Sequence, residues 1–254
     1  QKSQDAMEIY VVKPGDTLNS IANQYGVSVE RLAYDNEIEG NTLVVGQALL
    51  VLFPDTIYTI QNGDTLTSIA EQFNTTALQL VRNNSFLLNE DFLLPGRELV
   101  IRYANTENRG IDVFGYAYSY IRQEILEESC LYIQELLPFS YGYNEDGTLI
   151  PLNDERLLET AERFGNGKRM VLTPLDKNER FNNQLVVRLV TDEEMRQVLM
   201  DNVMNTMQTK GYEALDIDFE FIPGEYRNQY VTFISYARER LHAFGYQVSV
   251  AVPP

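Results

Sequence analysis

The sequence has few residues of several kinds, and each scarcity excludes a class of chemistry. It contains one cysteine, Cys130, so neither an internal disulfide nor a zinc site built from cysteines can form. It contains one histidine, His242, near the end of a predicted helix, which argues against a hydrolase of the Ser-His-Asp type. No apolar run approaches the roughly 20 residues of a membrane span, and the N-terminal stretch lacks the form of a signal peptide. We therefore expect no membrane partner.

Basic residues are also scarce. Lys and Arg number 20 against 37 Asp and Glu, which gives a formal net charge of -17. Phosphate binding requires clustered Lys and Arg, so we expect no nucleic acid partner. With 254 residues, of which 44% are hydrophobic, the chain has the composition of an ordinary globular protein.

The first hundred residues contain an internal repeat. The stretch YVVKPGDTLNSIANQYG from Tyr10 matches YTIQNGDTLTSIAEQFN from Tyr58, at an offset of 48 positions. Each unit closes with a short predicted strand, LVVGQALLV from Leu43 and LLPGRELVI from Leu93, where the offset becomes 50. The hydrophobic pattern of each unit predicts strand, helix, helix, strand.

Polar residues mark where the helices of this unit begin. Asp16 or Thr17 can cap the first helix, and Ser28 can cap the second. One interpretation of the GDTL motif is that it serves only as a turn and a helix cap, without a role in binding.

These units resemble LysM domains, the βααβ modules that bind polymers of N-acetylglucosamine. The motifs GDTLxxIA and G-[QR]-x-L occur twice at matching positions, and we place the modules at residues 8–53 and 56–102. The resemblance implies a sugar groove between two loops, the second of which lies near 41–44 and 92–95. Two modules in one chain would raise avidity for a polymer. The residues of the first loop that the resemblance assigns to glycan binding are Gly15, Asp16, Thr17, Leu18, Gly63, Asp64, Thr65 and Leu66.

Beyond a predicted linker at 102–108, strands alternate with helices, which is typical of a parallel α/β sheet. The predicted strands lie in GIDVFGYAY, LYIQELLPFSYGY, KRMVLTPL, YEALDIDFEF and YQVSVAVPP. The predicted helices are EILEESC, DERLLETAERFG, DEEMRQVLMDNVMNTMQTKG and one that Pro223 opens. Gly165 and Gly211 are expected to end the second and third of these helices, and Asn153 or Asp154 to cap the second.

The fourth strand carries Asp216, Asp218 and Glu220 at alternate positions, and therefore on one face. Burying three carboxylates is costly unless they are paired, metal-bound or protonated. In a (βα) barrel such a face leads to the C-terminal ends of the strands, where active sites lie, and Glu220 is nearest that end. Neighbouring carboxylates can hold a proton for general acid catalysis. A solvated strand face and a metal site are the alternatives, although a calcium loop would need a glycine that is absent.

The stretch GYEALDIDFEF is similar to the D-x-x-D-x-D-x-E signature of glycoside hydrolase family 18, the chitinase-like (β/α)8 barrels, with Glu213 in place of the first Asp. The resemblance implies that Glu220 protonates the glycosidic oxygen. The acetamido oxygen of the substrate would then attack the anomeric carbon, a substrate-assisted route. By the same resemblance Asp218 orients the acetamido group, and Asp216 tunes the charge of Asp218.

Three further residues are assigned to substrate binding by resemblance. Tyr116 in FGYAY corresponds to a tyrosine under the reacting sugar. Thr173 in VLTPL stands where chitinases often have serine, although Pro174 and Leu175 replace the usual Gly-Gly. Tyr141 lies in LPFSYGYNEDGTLIP, a stretch that resembles the second strand of the spore-specific subgroup.

Two LysM modules followed by such a domain are similar to bacterial spore peptidoglycan hydrolases. This implies an N-acetylglucosaminidase located in the spore cortex, coat or cell wall and acting on peptidoglycan or a chitin-like polymer, without cofactor or metal. The alternative is a non-catalytic cell-wall anchor with a remnant barrel, which the presence of Glu220 disfavours.

The fold class expected is multidomain: two βααβ modules and a (β/α)8 TIM barrel. Residues 109–254 are assigned to the barrel, and they number 146, whereas a full barrel takes about 250. The family's aromatic floor is usually tryptophan, and the sequence has none. We therefore expect a truncated barrel that contains strands one to five.

Overall fold

The computed structural model describes residues 7–90, 92–103, 111–178, 180–220 and 222–252. The chain divides into two compact units, residues 1–111 and 112–254. Most of the predicted linker at 102–108 lies outside the described residues, as do Gly110, Phe221 and the last two prolines, which the sequence assigned to strand ends.

The first unit repeats the order strand, helix, helix, strand, which confirms the predicted module. Its elements are β1 (Met7–Val11), α1 (Leu18–Tyr25), α2 (Val29–Asp35), β2 (Ala48–Leu52), β3 (Pro54–Thr59), α3 (Leu66–Gln72), α4 (Ala77–Asn83), a 3-10 turn (Ser85–Asn89) and β4 (Glu98–Tyr103). Strand β1 pairs antiparallel with β2, and β3 pairs antiparallel with β4. Each pair has its own hydrophobic core against its two helices.

The helices of both modules begin at the predicted kind of residue. Thr17 caps α1, where its hydroxyl accepts from the Ser20 amide at 3.0 Å while the Ser20 hydroxyl accepts from the Thr17 amide at 2.9 Å. Thr65 and Ser68 form the same reciprocal capping box before α3. The capping residue is therefore the threonine of GDTL and not the aspartate.

An asparagine ties the second helix of each module to its last strand. The Asn84 side chain is buried, and its Nδ2 donates to the carbonyls of Leu80 and Val100, both at 2.8 Å. Its Oδ1 accepts from the Val100 amide at 2.9 Å. Asn36 makes the equivalent bonds in the first module. Because every polar atom of this side-chain amide has a hydrogen-bond partner, the amide can be buried without the free-energy cost of an unpaired polar group.

The second unit is built on a parallel sheet. Its elements are β5 (Phe114–Tyr118), α5 (Gln123–Cys130), β6 (Glu135–Phe139), β7 (Gly142–Tyr143), β8 (Leu149–Ile150), α6 (Glu155–Phe164), β9 (Gly167–Leu172), α7 (Asn183–Thr191), α8 (Glu193–Lys210), β10 (Ala214–Ile217), a 3-10 turn (Gly224–Tyr226), α9 (Arg227–His242) and β11 (Gln247–Val250). The sheet has the order β5-β6-β9-β10-β11, which follows the chain and is consistent with part of a barrel. The short strands β7 and β8 form the predicted hairpin.

Two elements differ from the prediction. The sequence did not predict helix α7, because LVVRLV is a short apolar run that fits a strand as well as a helix. Strand β10 ends at Ile217, so Asp218 and Glu220 lie beyond it and not within it. The predicted ends of α6 and α8 are confirmed, since Gly165 and Gly211 both adopt the left-handed conformation that stops a helix.

The main core of the second unit lies between one face of the sheet and helices α7 to α9. Leu215 and Ile217 of β10 are fully buried in it, as are Met170 and Leu172 of β9. Alternate residues of these strands therefore face the other side, where the three acids lie. None of the described helices combines the length and the apolarity that crossing a membrane requires.

Candidate active site

The three acids run from the buried part of the second unit to its surface. Asp216 is 3% exposed, Asp218 is half-buried and Glu220 is exposed. Phe219 lies between the last two and points the opposite way, since its buried ring stacks on Phe233 at a centroid distance of 6.0 Å. The acids thus keep the predicted alternation past the end of β10. The exposed position of Glu220 leaves it accessible to a substrate.

Asp216 is held as a hydrogen-bond acceptor on both carboxylate oxygens. Its Oδ2 accepts from the Tyr116 hydroxyl at 2.7 Å, and its Oδ1 accepts from the Ser249 hydroxyl at 2.5 Å. Ser249 is its register partner on the neighbouring strand β11. Donors on both oxygens fix the orientation of this carboxylate.

Asp218 has different surroundings. Its side chain makes no hydrogen bond among the described residues, while its backbone amide donates to the carbonyl of Leu172 at 2.9 Å. Burial raises the pKa of Asp218 above its ordinary value, and the negative charges of Glu220 and Asp216 raise it further. Neighbouring acids in different surroundings are a means by which enzymes separate proton-holding from charged roles.

Tyr116, which the resemblance assigns to a position under the reacting sugar, lies beside the acids. Its ring is 53% exposed while its hydroxyl reaches Asp216. Burial raises the pKa of Tyr116, and the hydrogen bond to Asp216 raises it further. The phenol therefore stays protonated and acts as a donor.

The other two predicted substrate contacts are buried. Thr173 has no exposed surface, and its hydroxyl lies 2.7 Å from that of Ser140. Tyr141 is 3% exposed, and its hydroxyl donates to Asp154 at 2.6 Å. These side chains offer no surface to a glycan, so their predicted contacts have no support in the structure.

Asp154 collects several donors instead of capping a helix. Its fully buried carboxylate accepts from the hydroxyls of Tyr141 and Tyr212 and pairs with Lys210. Asp154 does occupy the predicted N-cap position of α6, but its side chain makes no capping bond. The reason is that a carboxylate surrounded by three donors is turned away from the helix start.

An aromatic strip beside the acids was missed by sequence reasoning. Tyr118 and Tyr120 are 49% and 78% exposed, and their rings stack at 5.1 Å. Phe139 packs edge-on against Tyr118 at 5.3 Å and against Tyr116 at 6.0 Å. The signal was present in FGYAYSY, where three tyrosines alternate and so share one face.

Two polar residues of the same face were also missed. Arg169 is 4% exposed, forms a double hydrogen bond with Glu135 and donates to the Ser249 hydroxyl at 3.1 Å. The alternation of Ser249 with apolar residues in YQVSV was the available signal. On the opposite face, Tyr230 of α9 packs against the main core, and its buried hydroxyl has no hydrogen-bond partner among the described residues.

In the modules, the GDTL side chains serve mostly to build the loop. Asp16 Oδ2 accepts from the Tyr10 hydroxyl and from the Lys13 amide, both at 2.7 Å, and these bonds lower the pKa of Asp16. Asp64 accepts from Tyr58 and Gln61 in the same way. Thr17 and Thr65 are helix caps, Leu18 is buried and Leu66 packs against the core. The backbone at Gly15 and Gly63 has a φ of +88°, which strains any other residue.

The second predicted loop presents apolar side chains to solvent. Val44 and Val45 are 67% and 60% exposed in the first module. Phe92 and Leu94 are 70% and 45% exposed in the second. Backbone amides next to exposed apolar groups could receive an acetamido group and the face of a sugar.

Arg31 joins the two modules. Its Nη2 donates to the carbonyl of Asn83 at 2.9 Å and to the Tyr103 hydroxyl, and its Nη1 donates to Asn84 at 3.3 Å. Asp35 neutralises it from its own helix at 2.8 Å. A cleft of about 720 Å³ lies beside this contact, with both modules contributing to its walls.

Comparisons with known proteins agree with this architecture. Residues 10–51 and 58–102 match the LysM domain family, and residues 182–254 match glycosyl hydrolases family 18. The chain is 34% identical over 258 residues to the cortical fragment-lytic enzyme of Bacillus subtilis (strain 168), covering 98% of this chain and 58% of that protein. It also resembles the crystal structure of the Bacillus cereus spore cortex-lytic enzyme SleL, with a TM-score of 0.71 and 26% identity over 97% of this chain and 58% of that one.

A shorter match concerns a module alone. The autolysin of Enterococcus faecalis (strain ATCC 700802 / V583) is 60% identical over 42 residues, which are 16% of this chain and 6% of that protein. The chain spans 58% of the length of the two longer relatives. It carries two LysM domains followed by part of a glycosyl hydrolase family 18 domain.

Proposed function

We propose that this chain is part of a peptidoglycan hydrolase that cleaves the β-1,4 bond following N-acetylglucosamine in the spore cortex or cell wall. The observation that carries the proposal is the graded environment of the three acids. Asp216 is buried and doubly hydrogen-bonded, Asp218 is half-buried with a raised pKa, and Glu220 is exposed. The relatives named above, a cortical fragment-lytic and a spore cortex-lytic enzyme, support this substrate class.

In the proposed reaction the substrate supplies the nucleophile. Glu220 donates its proton to the glycosidic oxygen as the bond to the anomeric carbon breaks, and the acetamido carbonyl oxygen forms the new bond to that carbon. Asp218 accepts from the acetamido N–H and stabilises the oxazolinium ion. Water then attacks the anomeric carbon as the bond from that carbon to the acetamido oxygen breaks, and it gives a proton to Glu220, which restores the acid with retained configuration.

The remaining residues of the site bind and orient the glycan. Tyr116 lies under the reacting sugar and fixes Asp216 through its hydroxyl. Tyr118 and Tyr120 offer an exposed stacked pair on which further sugar rings can pack. The module and barrel bounds, 8–53, 56–102 and 109–254, remain predictions, as does completion of an eight-stranded barrel.

Glu220→Gln tests the catalytic part of the proposal. In the full-length protein, release of reducing ends from cortex fragments is expected to fall by about 10²- to 10⁴-fold, since the side chain can no longer transfer a proton. Glu239→Gln is the matched control, because Glu239 is an exposed glutamate of helix α9 outside the acid series and is expected to keep activity. Equal turnover by Glu220→Gln would remove Glu220 from this role. No turnover by any form would favour the non-catalytic cell-wall anchor.

We further propose that the LysM modules anchor the protein to the glycan. Replacing Val44 and Leu94 together by serine is expected to weaken sedimentation with insoluble peptidoglycan by roughly tenfold. A factor of ten corresponds to about 1.4 kcal/mol, a fraction of the roughly 1.5–3 kcal/mol that each such side chain contributes when it is fully buried. Ile9→Ser is the control, because Ile9 is as exposed as Val45, at 60%, but lies on β1. Unchanged sedimentation of the double variant would contradict anchoring through these loops.

A further inference from the structure

A chain of hydrogen bonds runs away from the proposed site, beneath the acids. Glu135 on β6 accepts from Arg169 on β9 through two bonds, Nε to Oε2 at 2.6 Å and Nη2 to Oε1 at 3.0 Å. Arg169 Nη1 donates to the Ser249 hydroxyl on β11 at 3.1 Å, and that hydroxyl donates to Asp216 on β10 at 2.5 Å. The chain therefore links four strands of the sheet through side chains alone.

The geometry that permits this link is specific. Arg169 and Ser249 lie on strands separated by β10, and the register partner of Arg169 on β10 is Ala214. The methyl group of Ala214 is small enough for the guanidinium to cross the intervening strand. The guanidinium also lies 5.2 Å from the centroid of the Phe114 ring, a favourable cation–π contact.

The donor and the acceptor of each hydrogen bond in this series are fixed. Arginine can only donate, and an ionised carboxylate can only accept. The Ser249 hydroxyl must therefore accept from Arg169 and turn its proton towards Asp216. Because Tyr116 donates to the other oxygen of the same carboxylate, protonation of Asp216 would break one of these bonds.

We propose that Ser249 and the Arg169–Glu135 pair are positioning residues that orient the Asp216 carboxylate so that its negative charge favours a proton on Asp218. This rests on the function proposed above and adds a specific electrostatic support to it. The ion pair is nearly buried, since the side-chain exposures of Arg169 and Glu135 are 4% and 24%, so its charge is screened little by water. A buried pair of this kind contributes little net stability on average, and its use here is to orient a reacting group.

Within the part of the chain that the structure describes, the charged and titratable groups near Asp216 are Tyr116 on β5, Glu135 on β6, Arg169 on β9, Tyr230 on α9, and Asp218 and Glu220 after β10. Burial raises the pKa of Tyr230, and the charges of Asp218 and Asp216 raise it further, so it adds no negative charge at neutral pH. Arg169 is thus the cation that balances the acids of this set.

The test is the pH profile of kcat/KM for Ser249→Ala in the full-length protein, with soluble cortex fragments as substrate. The acid limb is expected to move up by about one pH unit, because a hydrogen bond to a charged group contributes roughly 1.5–3 kcal/mol and one unit corresponds to about 1.4 kcal/mol. Ser249→Thr keeps the hydroxyl and is expected to restore the wild-type profile. Ser129→Ala, on helix α5, is the matched serine control. A lower kcat without a shift of the limb would indicate a merely structural role and overturn the proposal.

Removing the Arg169–Glu135 ion pair provides a second test of the proposal. Arg169→Met alone would leave Glu135 buried without a partner, so the double variant Arg169→Met, Glu135→Leu is used, and it is expected to shift the limb in the same direction as Ser249→Ala. A profile identical to that of the wild type would contradict the proposal.

A measurement that does not depend on turnover separates the positioning role of Ser249 from the proposed hydrolase function. In a carboxyl NMR titration of Ser249→Ala, the pKa of Asp218 is expected to move towards its ordinary value, because Asp216 carries less charge. That outcome supports the positioning role even if no glycan is cleaved, in which case only the proposed function fails. An Asp218 titration that is unchanged by Ser249→Ala would overturn the positioning role.

Discussion

Tyr116 and Asp216 lie 100 positions apart in the sequence, and the phenol hydroxyl of the first donates to the carboxylate of the second at 2.7 Å. The contact spans the sheet from β5 to β10 and connects the aromatic strip of the exposed face to the buried end of the acid series. In the proposed function, this contact couples the tyrosine that lies under the sugar to the residue that sets the charge behind the reacting acids.

Tyr116→Phe is expected to lower kcat of the full-length protein by about 10- to 100-fold. The ring remains, but one donor to an ionised carboxylate is lost, and such bonds contribute about 1.5–3 kcal/mol. Steady-state kinetics on cortex fragments would measure this loss. Tyr246→Phe, in the connection between helix α9 and strand β11, is the control and should retain activity. A kcat of Tyr116→Phe equal to that of the wild type would show that Asp216 does not need this donor.

Asp218→Asn is expected to stabilise the fold at neutral pH while abolishing turnover. The folded-state pKa of Asp218 is raised, first by burial and then by Glu220 and Asp216. A raised carboxyl pKa means that the charged form opposes folding, so this cost is present above the raised value and disappears as pH falls through the ordinary value near about 3.9. Urea unfolding of both proteins at neutral and at acidic pH would measure it. A stability gain that did not shrink in acid would contradict the electrostatic explanation.

Asp154→Asn is expected to destabilise the second unit by about 2–4 kcal/mol. The amide turns one acceptor into a donor against buried hydroxyl groups and leaves Lys210 without its buried counter-charge. Equilibrium unfolding in urea measures the change. Glu155→Gln is the comparison, since Glu155 also contacts Lys210, at 3.2 Å, but is 64% exposed at its side chain, and it is expected to cost under about 0.5 kcal/mol. Similar losses in the two variants would argue against Asp154 as the centre of this cluster.

Arg31→Ala is expected to separate the motions of the two modules while each keeps its fold. The substitution removes the bonds to Asn83, Asn84 and Tyr103 and should cost about 1–3 kcal/mol at this contact. Amide ¹⁵N relaxation would then report different tumbling times for the modules. Arg102→Ala provides the control, because Arg102 is an exposed arginine of β4. Joint tumbling in Arg31→Ala would show that other contacts hold the modules together.

The modules were the most predictable part of the molecule. Their order of elements, the Ser28 cap and the glycine turns follow from local signals that occur twice in the sequence, and repetition removes much of the ambiguity of a single pattern. The role of Asp16 could not be decided in this way. Whether its carboxylate caps a helix or braces the loop depends on where the Tyr10 hydroxyl lies, and the structure shows that it braces the loop.

In the second unit the alternation of acids along one strand was visible, but their partners were not. Ser249 and Arg169 join Asp216 only because β11 and β9 flank β10 in register, and that register is a property of the whole sheet. Tyr141 and Asp154 show the converse. Each fits a local motif, but Tyr212 and Lys210, more than fifty positions later, pair with Asp154 and so turn both residues away from their predicted roles.

The position of Ser249 also has a consequence for the order of folding. It lies on β11, the last strand of the described sheet, and a parallel strand can pair with its neighbour only after the intervening helix α9 has formed and crossed over. The hydrogen bonds of Asp216 are therefore complete only once the crossover through α9 has brought β11 onto β10, so the site depends on a non-local contact of the sheet.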